Sequence, residues 1–141
     1  MRKLVPLLLV AAVCLAPKPA QAELRFTAGA HAWIDESALF DFTLSGAFTV
    51  ARHLQVGVRG GAGFTSSPTV AVIPVDLQLR ILVSRFYIEG NVGPWFLIED
   101  SPVHAHGTVG FGVDVGHFTA GLEVGYLQPQ AILGANLGVR F

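Results

Sequence analysis

His104 and His106 stand two residues apart, closely preceded by Glu99, Asp100 and Ser101, while Asp41, Ser37, Ser66 and Ser67 lie further back. An imidazole beside a hydroxyl and a carboxylate is the set that acyl transfer uses. Two imidazoles at i and i+2 can also share a metal ion. The spacing supplies neither chemistry in full. His104 is followed two residues later by His106, and His106 by Thr108. The simpler reading is a pair of polar rings wetted by solvent, and no catalytic, cofactor-binding or metal-binding residue is assigned. His31, Trp33 and Trp95 form a second set that can either stack on a carbohydrate or lipid, or narrow an opening. Cys14 is the single cysteine, inside a segment expected to be removed, so thiolate and disulfide chemistry are excluded from the rest.

The elements that must hold these residues are strands. Over 24–34, 39–50, 54–65, 71–83, 86–98, 103–115, 118–127 and 131–141, every second residue is apolar, and all ten Phe fall in that phase. Nearly every charge falls in the other phase or in a turn. Period-two alternation marks a strand with two unlike faces. Eight strands with a continuous charge-free face predict an all-β, eight-stranded antiparallel up-and-down transmembrane β-barrel.

Arg2 and Lys3, the apolar run Leu4–Leu15 and the small-x-small site Ala20-Gln21-Ala22 read as a cleaved signal peptide. The expected organisation is therefore a signal peptide over 1–22 and one barrel domain over 23–141. Charged residues make up 13% of the chain, about half the usual share for a soluble domain. Too few charges exist to coat an outer surface in water, and an apolar solvent outside resolves the shortage. Beyond residue 22 there is no lysine and the balance is mildly acidic, which excludes an electrostatic footprint for nucleic acid.

Tight turns at Ala51-Arg52-His53, Ser84-Arg85 and Gly116-His117 alternate with longer ones at Asp35–Ala38, Ser66–Val70, Glu99–Pro102 and Gln128–Gln130. Bacterial outer-membrane barrels keep short turns in the periplasm and longer loops outside. That assigns the tight set to the periplasm and the acidic set to the exterior. Phe26, Phe48, Phe86, Phe118 and Phe141 then form a periplasmic aromatic ring, and Phe40, Phe42, Phe64, Phe96 and Tyr126 an external one.

Most glycines lie in the polar phase, where small residues make room for long ones in a narrow interior. The expected lumen network comprises Arg25, Arg59, Arg80 and Arg140 with Asp41, Asp76, Glu89, Asp114 and Glu123. A two-residue turn at Ser84-Arg85 sets Val83 opposite Phe86, and so Arg80 opposite Glu89 and Gln78 opposite Asn91. Near-balanced charge suits a packed, self-neutralising plug, whereas a permeation path favours rings of one sign.

The tail Asn136-Leu137-Gly138-Val139-Arg140-Phe141 resembles the sorting signal of bacterial outer-membrane proteins. In that signal Asn136, Gly138, Val139 and the terminal Phe141 hold the alternating polar, glycine, hydrophobic and aromatic positions. Val139 stands where an aromatic is commoner. With the strand count, the chain resembles the small eight-stranded barrels of the OmpA transmembrane domain and OmpX class. The resemblance implies a Gram-negative outer-membrane location, contact with outer-membrane lipid and lipopolysaccharide, and passage through the barrel-assembly machinery. Some such barrels are lipid A acyltransferases or deacylases; the deacylase pairing of His and Ser on one strand face is missing here. The expectation is a structural or interaction role without a cofactor, with a small channel as the nearest alternative and a lipid A-modifying enzyme as the second. The oligomeric state is left open.

Overall fold

A computed structural model describes residues 22–99 and 102–141; the expected signal peptide lies outside them, apart from Ala22. Eight strands follow one another: β1 (Ala22–Trp33), β2 (Ser37–Ala51), β3 (Leu54–Thr65), β4 (Ala71–Val83), β5 (Phe86–Leu97), β6 (Val103–Val115), β7 (Phe118–Leu127) and β8 (Gln130–Arg140). Each pairs antiparallel with its neighbours, and β1 pairs with β8 to close the ring. No backbone edge along the strands is left open to an apolar solvent, as a membrane-spanning sheet requires.

The boundaries differ from expectation in two hairpins. β2 begins at Ser37, paired with Trp33, so the first loop shrinks to Ile34–Glu36. At its other end a bulge between Thr49 and Ala51 lets Ala51 pair with Leu54, leaving only Arg52-His53 in the turn. The tight turns at Ser84-Arg85 and Gly116-His117 place their first residues at φ 57° and 60°, the left-handed region that mirror-image hairpin turns use.

The tight-turn end is laced from hairpin to hairpin. Leu82 N donates to His53 O at 2.8 Å, Asp114 N to Arg85 O at 2.7 Å and Arg140 N to His117 O at 2.7 Å. Phe141 N donates to Leu24 O at 2.8 Å and completes the rim.

Alternation sorts the side chains as the two phases require. All ten Phe are exposed on the outside, in an aliphatic belt that includes Leu44, Leu77, Ile88 and Leu137. The two expected aromatic rings merge on the first hairpin, where Phe26 stacks on Phe42 with centroids 6.3 Å apart. The cause is register. Ala28 lies opposite Phe42 and Leu44 opposite Phe26, so the two Phe are diagonal neighbours rather than members of separate rings.

The interior departs from a uniformly polar lumen. Its loop end is filled by Trp33, Leu39, Val72, Trp95, Leu97, Leu127 and Ile132, all buried in one cluster. These residues share the phase of the lumen charges. Alternation reports the side a residue faces, not the polarity of what it meets there.

Candidate functional site

Beneath that apolar cap the lumen holds a continuous network of charges. Its middle is organised around Asp76 on β4, which lies directly opposite Arg59 on β3. Arg59 donates to Asp76 Oδ2 from Nη2 at 2.7 Å and from Nε at 3.1 Å. Trp95 Nε1 reaches the same carboxylate at 3.1 Å, and His106 Nδ1 lies 2.8 Å from Oδ1. The His106 ring stacks on Trp95, with centroids 4.2 Å apart. A buried carboxylate met by three partners has its charge compensated where water cannot do so. Asp76 is the hub between the polar lumen and the cap.

Two contacts cross the barrel. Arg59 Nη1 on β3 lies 3.8 Å from Glu123 Oε2 on β7, and Arg25 Nη1 on β1 lies 3.7 Å from Glu89 Oε2 on β5. In a ring of eight, these pairs stand on opposite walls, so the lumen is only two side chains wide. His31 is buried between Asp41 Oδ2 at 3.3 Å and Glu123 Oε1 at 3.2 Å. Glycine makes that position possible: a Cβ on Gly134 or Gly29 would overlap the His31 ring.

Toward the tight turns, Arg80 gathers the remaining acids. It lies opposite Glu89, with Nε 3.5 Å from Oε2, and reaches Asp114 at 3.4 Å and Glu23 at 3.9 Å. Its guanidinium carbon sits 3.5 Å above the Tyr87 ring, a cation–π contact. Gly112 and Gly121 leave the space that Tyr87 fills. Gln78 donates to Asn91 across the same hairpin at 3.2 Å. The β4–β5 register is the same on both sides of Pro74, whose ladder partner is Trp95.

Each expected lumen residue therefore faces inward, but Asp114 and Arg140 are only partly buried at the tight-turn mouth. Four participants escaped the sequence reading. Glu23 contacts Arg25, Arg80 and Arg140, and holds together Arg25 and Arg140, which are directly opposed like charges on the closing seam. Its signal was available, because Glu23 continues the polar phase of Arg25, Thr27 and Gly29. Tyr87 likewise shares the phase of Glu89. His31 and His106, expected to face inward near the external mouth, are buried in the lumen against Asp41, Glu123 and Asp76. Among the tail residues Gly138 is buried against Thr27 and Thr119, Asn136 is half-buried, and Phe141 is exposed on the rim.

The residues considered for acyl transfer assemble only in part: Ser37, Ser67, Glu99 and His104 line one hollow, but among the described residues no hydroxyl is hydrogen-bonded to His104. Asp41 pairs with His31 rather than with His104. His104 has Gln128 O at 2.6 Å from Nδ1 and Glu99 Oε1 at 2.9 Å from Nε2. Both partners are acceptors, so each ring nitrogen faces an oxygen acceptor rather than a hydroxyl. His106 sits with Asp76 rather than near Glu99, and its side chain is sealed from solvent. Ser37 donates to Ala38 O at 2.9 Å. Asp100 and Ser101 lie outside the described residues. Among the described residues no three His, Cys, Asp or Glu side chains converge as a metal centre. Above the cap a hollow of about 260 Å³ is lined by Trp33, Glu36, Ser67, Leu97, Glu99 and His104, among others.

No protein-family model and no curated protein matches the chain. Solved structures do. The de novo designed transmembrane barrel TMB2.3 matches with a TM-score of 0.64 at 15% identity, over 90% of this chain and 98% of that one. The outer-membrane enzyme PagL matches with a TM-score of 0.61 at 12% identity, over 83% and 98%. The Yersinia pestis outer-membrane protein Ail, in a phospholipid nanodisc, matches with a TM-score of 0.58 at 11% identity, over 86% and 100%. At such identities the likeness is one of fold. The fold is that of small eight-stranded transmembrane barrels, the architecture of the OmpA and OmpX class.

Proposed function

We propose that this protein is an integral barrel of the bacterial outer membrane, with a structural or interaction role and a lumen closed to solutes. The carrying observation is the filled interior: a charge network spanning the barrel beneath an apolar cap of seven side chains. In this reading the tight turns face the periplasm and the acidic loops face outward, in contact with lipopolysaccharide. The tail Asn136, Gly138, Val139 and Phe141 is read by the barrel-assembly machinery after the signal peptide is removed.

Two features support a role without catalysis. Both His104 nitrogens are engaged, and His31 and His106 are buried where no lipid substrate can reach them. Of the outer-membrane neighbours named above, PagL is an enzyme; among the described residues here, no hydroxyl is hydrogen-bonded to His104.

Reconstitution into planar bilayers tests the closed lumen. The expected result is no steady conductance, and a stable conductance state would establish the channel reading instead. Mass spectrometry of lipid A from cells with and without the protein should show identical species. A lost or added acyl chain would establish the enzyme. An unheated sample should migrate as a compact band on a denaturing gel and shift on boiling, as a closed barrel does.

A further inference from the structure

Six arginines follow residue 22, and four of them are engaged in the lumen. The other two, Arg52 and Arg85, make no ion pair among the described residues and are exposed. Both lie in tight turns at the same end of the barrel, in the β2–β3 and β4–β5 hairpins. The turns are neighbours: His53 O accepts from Leu82 N at 2.8 Å, two residues before Ser84. Two strand spacings separate the hairpins, about 10 Å. Both acids at this end, Glu23 and Asp114, are turned inward onto lumen arginines. The opposite rim carries Asp35, Glu36 and Glu99, and no arginine or lysine occurs in any of its loops.

The neighbours of these cations are apolar and face outward. Val50, Val83 and Phe86 are 59%, 62% and 67% exposed, among the most exposed large hydrophobics of the chain. Arg85 directly precedes Phe86, and a strand rises about 3.3 Å per residue. The headgroup layer adds about 5–8 Å to each side of the hydrocarbon core. Once the apolar belt is in the core, a two-residue turn leaves the Arg85 backbone inside that layer, where its guanidinium can reach the lipid phosphates.

We propose that Arg52 and Arg85 form a binding surface for anionic phospholipid headgroups in the leaflet at the tight-turn end. This rests on the membrane-barrel reading. The cations take the phosphate and the flanking Val50, Val83 and Phe86 take the acyl chains. The acidic rim at the other end repels the same lipid, so the barrel is electrically polarised along its axis. A soluble acidic partner fits less well, because its approach is obstructed by the headgroups that surround turns this short.

The test uses the folded protein in neutral detergent micelles, titrated with short-chain phosphatidylglycerol and followed by NMR at the amides of residues 52, 53, 84 and 85. Saturable shifts confined to these turns are expected, with phosphatidylcholine of the same chain length producing none. Each of Arg52→Gln and Arg85→Gln should weaken the apparent affinity about fivefold, and the pair about 25-fold. Asp35→Asn with Glu36→Gln at the far rim should leave it unchanged. Equal response to both lipids, or equal affinity for glycerol phosphate without chains, overturns the proposal while the barrel reading stands. Failure to fold in micelles and in phosphatidylcholine vesicles alike overturns the barrel reading, and this proposal with it.

Discussion

Arg59 and Asp76 face each other across the β3–β4 ladder with two donor contacts on one carboxylate oxygen, at 2.7 and 3.1 Å. Arg80 and Glu89 are also directly opposed, but their closest approach is 3.5 Å and Arg80 divides itself among three acids and an aromatic ring. Neighbours in one network couple by about 0.5–3 kcal/mol. Double-mutant cycles on the folded barrel in detergent should therefore give about 2 kcal/mol or more for Arg59–Asp76 and under about 1 kcal/mol for Arg80–Glu89. The reverse order would show that register, not the number of donor contacts, sets the strength.

Adjacent residues on β4 test the two faces. Leu77 is 64% exposed on the belt, whereas Gln78 is buried in the lumen. Leu77→Arg should cost about 2–4 kcal/mol if it lies near mid-bilayer. Gln78→Arg enters a polar interior whose acids, with Glu23 counted, outnumber its arginines, and should cost less. Unfolding titrations in lipid vesicles compare them directly, and equal costs would contradict the inside–outside assignment.

Two glycine substitutions separate packing from backbone effects. A Cβ on Gly61 would press on Phe42 O and lie 2.8 Å from Thr43 Cα, atoms of the adjacent backbone that cannot yield without moving the strand. Gly61→Ala should destabilise by about 1–3 kcal/mol. Gly90 faces outward with nothing within 4 Å of its Cβ position. Gly90→Ala should be neutral, or stabilise by up to about 1 kcal/mol by restricting the unfolded chain. Equilibrium unfolding of the two variants reads the difference.

Phe141 joins the rim through its backbone, and its ring is 74% exposed. Phe141→Asp keeps that backbone bond and removes the aromatic end of the proposed assembly signal. Its level in the outer-membrane fraction should fall while the purified variant still folds in detergent. Loss of both would indicate a purely structural role for the ring.

Two kinds of lumen contact differed in how legible they were. Arg80–Glu89 followed from one tight turn, since a two-residue hairpin fixes every directly opposed pair in it. Arg59–Asp76 obeys the same arithmetic through Thr65 and Val70, joined by a backbone bond of 2.9 Å. It went unread because a five-residue loop does not announce its own closure. Glu23 and Tyr87 were in the correct phase and needed only to be counted.

The sequence by itself determined eight strands, their order and the side of the sheet on which almost every residue lies, because the strand period of two is local and repeats over the whole chain. The closed structure decided what meets inside. Arg59 reaching Glu123 and Arg25 reaching Glu89 depend on where opposite walls stand after the ring closes, and His31 reaches Glu123 only across the closing seam. That height is set by the accumulated stagger of every ladder up to the β1–β8 seam, which no single hairpin carries. The cap has the same origin. Trp33, Leu39, Val72, Trp95, Leu97, Leu127 and Ile132 are scattered through six of the eight strands, and become one cluster only when tilt and stagger bring them to a common level.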